Sequence, residues 1–152
     1  MWRAMYVRSV RRGSTTTARG AAKIDAPMLI DSDVLVWLTR GHVGAAQRLH
    51  ALPVWRISLV TYIELAQGCR DKADLARLKK GLAARNTEIV PVTPAISQRA
   101  AALIDALALS HGMRLADALI GATAIETQAT LLTANVKHFS AVEGLLIDAF
   151  KP

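Results

Sequence analysis

Asp31 closes an apolar run in Met28-Leu29-Ile30-Asp31-Ser32-Asp33-Val34-Leu35, at the point where a strand gives way to a helix. Open parallel sheets gather their functional groups beyond the carboxyl ends of strands, so this carboxylate stands in a useful place. Taken alone, it reads more simply as a helix cap, with Asp31 or Ser32 accepting from the next turn. Glu64 lies in Thr61-Tyr62-Ile63-Glu64-Leu65-Ala66, and Thr61 with Glu64 has capping-box spacing. Ser58, directly after a strand-like run, is the more natural cap, which puts Glu64 well inside a helix between Ile63 and Leu65. A carboxylate there needs a partner. Asp117 sits in Leu115-Ala116-Asp117-Ala118-Leu119-Ile120, an almost wholly apolar helix, where it is costly unless paired, capping or bound to a cation. Thr133 and Asn135 follow the run Leu131-Leu132. They can position a phosphate or a water, or simply begin an Asx turn.

The elements that position these residues are legible in the spacing of apolar side chains. Strands are expected near 28–31, 55–58, 88–92, 130–133 and 145–147. Between them apolar residues recur at helical spacing, as in Leu75, Leu78 and Leu82, and again in Ile96, Ala100, Leu103, Ile104 and Leu107. Pro94 suits a first helical turn and Gly112 the position past its end. Strands alternating with helices predict an α/β class: one α/β/α domain with a parallel central sheet.

A chain that is 52% apolar with few aromatics can build a real core. Cys69 is the sole cysteine, which excludes an intrachain disulfide and a Cys-based zinc site and suits a reducing cytoplasm. The apolar runs are too short for a bilayer, so no membrane association is expected. The formal charge is +7, but residues 1–27 hold six basic residues (Arg3, Arg8, Arg11, Arg12, Arg19 and Lys23) against Asp25. The basic total therefore says little about the remainder. That segment reads as a disordered extension ahead of a domain at 28–152. It superficially resembles an organelle transit peptide, but natural translation from Met28 is the favoured reading.

Taken in order, the four motifs resemble those of PIN domains, and most closely the VapC-type toxins of bacterial toxin–antitoxin pairs. The resemblance runs from about Met28 to the C-terminus. It implies Mg²⁺-dependent cleavage of RNA, with Mn²⁺ able to substitute, a small cognate antitoxin that inhibits the enzyme, and a homodimer. Asp31 and Asp117 match the family's most regular metal ligands, and Glu64 matches its middle acid. Asn135 stands where many PIN domains have a fourth acid, which argues for one firm metal site, and His138 stands where an acidic residue is frequent.

These implied roles make chemical sense. Three carboxylates within a few ångströms repel one another strongly, and Mg²⁺ prefers a few such oxygens at an open cleft. Asp31 and Asp117 would hold the ion, Glu64 would orient or deprotonate a water, and Thr133 and Asn135 would position phosphate or water. Lys137, Arg114 or Arg40 would grip the RNA backbone. Trp37, Leu38, Leu49 and Leu52 are candidates for an association surface or for ordinary core. Two rivals stand beside this reading: a catalytically weak RNA- or antitoxin-binding module, kept open by Asn135, and a haloacid-dehalogenase-like phosphatase, suggested by Asp31-Ser32-Asp33 but lacking that family's later motifs.

Overall fold

The computed structural model describes residues 27–152, so the basic segment set apart above lies, but for Pro27, outside the described residues. The chain runs β1 (Met28–Ile30), α1 (Ser32–Thr39), α2 (Val43–His50), β2 (Arg56–Ser58), α3 (Leu59–Gln67), α4 (Lys72–Ala84), β3 (Glu88–Val90), α5 (Pro94–His111), α6 (Leu115–Glu126), β4 (Thr130–Thr133), α7 (Val136–Phe139) and β5 (Ile147–Ala149).

Every strand pairing is parallel. One ladder has the order β1-β4-β5, and β2 pairs with β3 in a second. β2 lies against β1, so the two ladders adjoin without a regular set of hydrogen bonds between them. The strands are buried on both faces, and period-two alternation divides the core accordingly. Ile30, Ile57 and Leu132 pack with Leu35, Leu38, Leu49, Trp55 and Leu78 on one face. Leu29 and Leu131 pack with Ile96, Ala118, Ile120 and Phe139 on the other. Helices α1 to α4 thus cover one side of the sheet, and α5 to α7 the other, giving the expected α/β/α arrangement. Leu38 and Leu49 are fully buried, with Trp37 and Leu52 packed partly against them. Leu38 and Leu49 are therefore core and cannot form an association surface.

Local chemistry sets the boundaries. Thr93 caps α5, Pro94 begins it, and Gly112 ends it in the left-handed conformation (φ 66°), which glycine adopts without a Cβ penalty. β3 stops at Val90 rather than at residue 92 because Pro91 has no N–H to continue the ladder. β5 starts two residues later than the sequence pattern predicts: the chain first turns through Gly144 (φ 77°) and a Leu145 N–H to Val142 carbonyl bond.

Ser58 caps α3. Its buried hydroxyl accepts from Thr61 N–H at 2.8 Å and lies 3.0 Å from the Thr61 hydroxyl. Ser58→Ala strands both groups without water, and we expect a loss of about 1–2 kcal/mol in denaturant-unfolding stability. An unchanged unfolding midpoint would show that the cap contributes nothing.

Candidate active site

Register brings the first two residues of the site together. Ile30 pairs with Leu132, so one step further along both strands Asp31 and Thr133 emerge side by side, and Asp31 N–H donates to the Leu132 carbonyl at 2.9 Å. The Thr133 hydroxyl donates to Asp31 Oδ2 at 2.8 Å and accepts from Asn135 N–H at 2.9 Å. Asp31 Oδ1 takes the Ser32 N–H at 2.7 Å, so this carboxylate does cap α1, but with one oxygen only. Thr133 is fully buried and its single proton faces carboxylate. In this structure that proton goes to Asp31.

Two arms extend from this centre. On one, the Ser32 hydroxyl donates to Glu64 Oε2 at 2.8 Å. Because Ser58 is the cap of α3, Glu64 sits inside the helix, free of the capping-box role. On the other, His138 Nδ1 lies 3.2 Å from Asp117 Oδ2 and 2.8 Å from Asn135 Nδ2. Asp117 is in the first turn of α6, yet the residue capping that helix is Arg114, which makes no side-chain cap bond, so Asp117 is not the cap either. Asp31, Glu64, Asp117, Thr133 and Asn135 therefore belong to one hydrogen-bonded network at the carboxyl ends of β1 and β4. Their carboxylates are linked through Ser32, Thr133, Asn135 and His138, and among the described residues no three acidic, His or Cys side chains converge into a ready-made metal cage.

Burial pushes Asp31 up to about 7, with the Asp33 charge and then Glu64 adding to the rise, while bonds from Thr133 and Ser32 oppose it. Burial likewise raises Asp33, which accepts from Ala134 N–H at 3.0 Å through Oδ2 while its buried Oδ1 has no partner. Among the described residues no cationic side chain pairs with Asp31, Asp33 or Glu64. A concentration of oxygen donors with an orphaned carboxylate oxygen and no counter-charge from the described residues fits a hard divalent cation. Arg114 and Lys137 are exposed on the elements that carry Asp117 and His138, and Arg40 lies over the Trp37 ring, 5.7 Å from its centre.

A cavity of about 700 Å³ opens at the opposite, amino ends of the strands, lined by Met28, Arg48, Arg56, Glu88 and Thr130 among others. Its carboxylate Glu88 is already paired with Arg56 at 2.7 Å. The hollow thus offers no unpaired carboxylate among its lining residues.

The sequence did not reveal Ser32 as the link to Glu64, nor His138 as the partner of Asp117. The second had a visible signal, a histidine one turn beyond Asn135; the first had none beyond its neighbour Asp31. Ser32→Ala frees Glu64 without disturbing the core. We expect about a tenfold fall in kcat for the reaction of this site, with little change in KM. Wild-type kcat would show that the bond has no bearing on the reaction.

A family model described as PIN domain matches residues 28–145, and the chain belongs to that family. Ribonuclease VapC10 of Mycobacterium tuberculosis is 36% identical over 125 residues, covering 78% of this chain and 90% of the relative. Among solved structures, a toxin–antitoxin complex from Klebsiella pneumoniae is 30% identical, with a TM-score of 0.66 and coverage of 78% of this chain and 95% of that one. VapBC2 from Rickettsia felis, bound to a DNA fragment from its promoter, is 22% identical with a TM-score of 0.71, covering 82% and 98%, and bears on the fold alone. VapC-type PIN ribonucleases are metal-dependent nucleases in general. The family match sets aside the phosphatase reading.

Proposed function

We propose that this chain is a Mg²⁺-dependent endoribonuclease, the toxin of a VapBC-type toxin–antitoxin pair. The observation that carries the metal site is the group of carboxylates around the ends of β1 and β4, with Asp31 buried and raised to about 7, Asp33 Oδ1 unpartnered, and no Lys or Arg among the described residues paired with Asp31, Asp33 or Glu64. Asp31 and Asp117 would hold the ion, with Glu64 as third acid. When bound, the ion polarises the scissile phosphate and lowers the pKa of a coordinated water.

The chain's own groups do the rest. Thr133 fixes the orientation of Asp31. Glu64, steadied by Ser32, orients the attacking water or accepts its proton. Asn135 positions phosphate or water, while Arg114, Lys137 and Arg40 hold the RNA backbone through sequence-independent phosphate contacts. Mn²⁺ substitutes for Mg²⁺ in this reading, since both accept carboxylate and water oxygens.

The partners are an RNA substrate and a small cognate antitoxin, supported by the Klebsiella complex and the VapC10 relative. A homodimer belongs to the same reading, supported by the strongly exposed Leu109 and Leu115 at the α5–α6 end and by Leu146. A reducing cytoplasm suits the lone Cys69. Among the described residues no helix is long and apolar enough to cross a membrane.

The test is cleavage of a mixed RNA substrate during chelation and metal return. We expect EDTA to abolish cleavage and Mg²⁺ to restore it, and Asp117→Asn to lower the restored rate at least about a hundredfold in a folded protein. EDTA-resistant cleavage, or full activity in Asp117→Asn, would overturn the metal assignment. Metal-bound protein that cleaves no RNA would favour the weak-binding-module alternative.

A further inference from the structure

A first-turn acid ordinarily does no more than face the positive end of its own helix. Asp33 stands in the first turn of α1, yet its Oδ2 reaches out of that helix. It accepts from Ala134 N–H at 3.0 Å, 101 residues further along the chain, and lies 3.3 Å from the Thr133 hydroxyl. Ala134 is the first residue beyond the paired part of β4, so Asp33 gives its N–H the acceptor that the ladder no longer supplies.

The bond holds the start of the second arm of the site. Asn135 comes next, with its N–H on the Thr133 hydroxyl at 2.9 Å, and then α7, four residues whose start has no side-chain cap. A single helical turn has too few internal bonds to fix its own place. α7 is placed by what its ends are tied to. Buried Phe139 seats one end in the core. At the other end the Ala134 and Asn135 N–H groups tie the chain to Asp33 and Thr133. His138, carried between them, stands 2.8 Å from the Asn135 side-chain amide and 3.2 Å from Asp117 Oδ2. Asp33 thus joins the helix that begins beside Asp31 to the turn that carries Asn135 and His138.

We propose that Asp33 is a positioning residue for RNA cleavage: its Oδ2 sets Asn135 and the α7 turn against Asp31, and it does so as an acceptor oxygen and not through its charge. The proposal rests on the reading that Asp31, Asp117 and Asn135 serve the reaction. The Ala134 N–H needs a lone pair, which an amide oxygen supplies as a carboxylate does. Asp33→Asn keeps that oxygen, and its NH₂ group replaces Oδ1, an atom with no hydrogen bond to lose. Asp33→Ala removes the acceptor altogether.

The test pairs steady-state RNA cleavage with amide hydrogen exchange of the metal-free full chain. The proteins compared are wild type, Asp33→Asn, Asp33→Ala, Asn135→Ala and the double variant Asp33→Ala with Asn135→Ala. We expect kcat to fall about tenfold in Asp33→Ala with KM little changed, and to stay within about threefold of wild type in Asp33→Asn. Exchange of the Ala134 amide should quicken at least about tenfold in Asp33→Ala and stay slow in Asp33→Asn, while Leu29 and Leu131 keep their protection in both. The double variant should be no slower than Asn135→Ala, because both changes remove one contribution. An equal fall in both Asp33 variants assigns the effect to charge and overturns the proposal. Wild-type kcat in Asp33→Ala overturns it too, as does a double variant whose loss is the product of the single losses. If Asp33→Ala loses the protection of Leu29 and Leu131, Asp33→Asn decides alone, and a tenfold fall there is fatal to the tether. RNA left intact by the wild type overturns the nuclease reading and this proposal together, whereas the other adverse results leave that reading standing.

Discussion

Asp31→Asn is expected to lower RNA cleavage about a thousandfold at saturating Mg²⁺, the largest loss of any single change, in a protein that remains folded. The reason lies in position. Asp31 is the one acid that both arms of the site share, bonded to Thr133 on one side and to Ser32, the partner of Glu64, on the other. It is also the deepest, with only 5% of its surface exposed, so no solvent can substitute for its charge. Asparagine keeps the shape and one acceptor oxygen but removes the negative charge that a divalent ion requires. The fold should survive because Asp31 already bears an ionisation cost in the metal-free state, and losing the charge offsets the misdirected amide hydrogen bond. Rates from single-turnover cleavage, beside circular dichroism of the same preparation, provide the check. Cleavage within tenfold of wild type would remove Asp31 from the reaction.

The sequence made the architecture legible because both faces of the sheet are buried. Leu29 and Ile30, or Leu131 and Leu132, had to belong to strands covered on both sides, and the Leu78–Leu82 and Ile96–Ala100 stripes had to face them. It also made the three acids legible, since carboxylates inside apolar helices or at strand ends have few structural uses. Their connections were not legible. Ser32 and Glu64 are 32 residues apart, and their bond depends on how α1 and α3 pack. The bond from Thr133 to Asp31 was hidden for a similar reason: a strand-end threonine can face solvent or carboxylate, and only the register of β1 against β4 decides. The late start of β5 reflects a turn through Gly144 that apolar spacing does not encode.

The raised carboxylate also sets how stability varies with pH. An unfolded Asp31 ionises near 3.8, whereas the folded one, desolvated by burial and crowded by Asp33, ionises at about 7. Between those values the folded state carries the extra proton, so unfolding free energy must fall as pH rises. The fall ends once Asp31 is ionised in both states. From Asp31 alone it reaches at most about 4 kcal/mol, which for a domain of this size corresponds to about 10 °C in Tm between pH 4.5 and 8. The upward shift of Asp33 acts in the same direction. Asp74 opposes them at the acid end: bonded first by Arg77 and also by Arg70, it is lowered to about 2, so its contribution is present above about pH 4 and is lost as pH drops toward 2. Metal-free protein should therefore be most stable near pH 4–5 and distinctly weaker at pH 8. A divalent ion that binds only the ionised, folded site reverses this, since ligand binding to the native state adds stability in proportion to the logarithm of its concentration over Kd. Thermal unfolding in EDTA across this range, repeated with Mg²⁺ at pH 8, tests the argument. Asp31→Asn should flatten the alkaline fall and remove most of the Mg²⁺ rescue together. A Tm in EDTA that climbs from pH 5 to 8 would mean that Asp31 is compensated within the folded chain, and that its negative charge is not held in reserve for a cation.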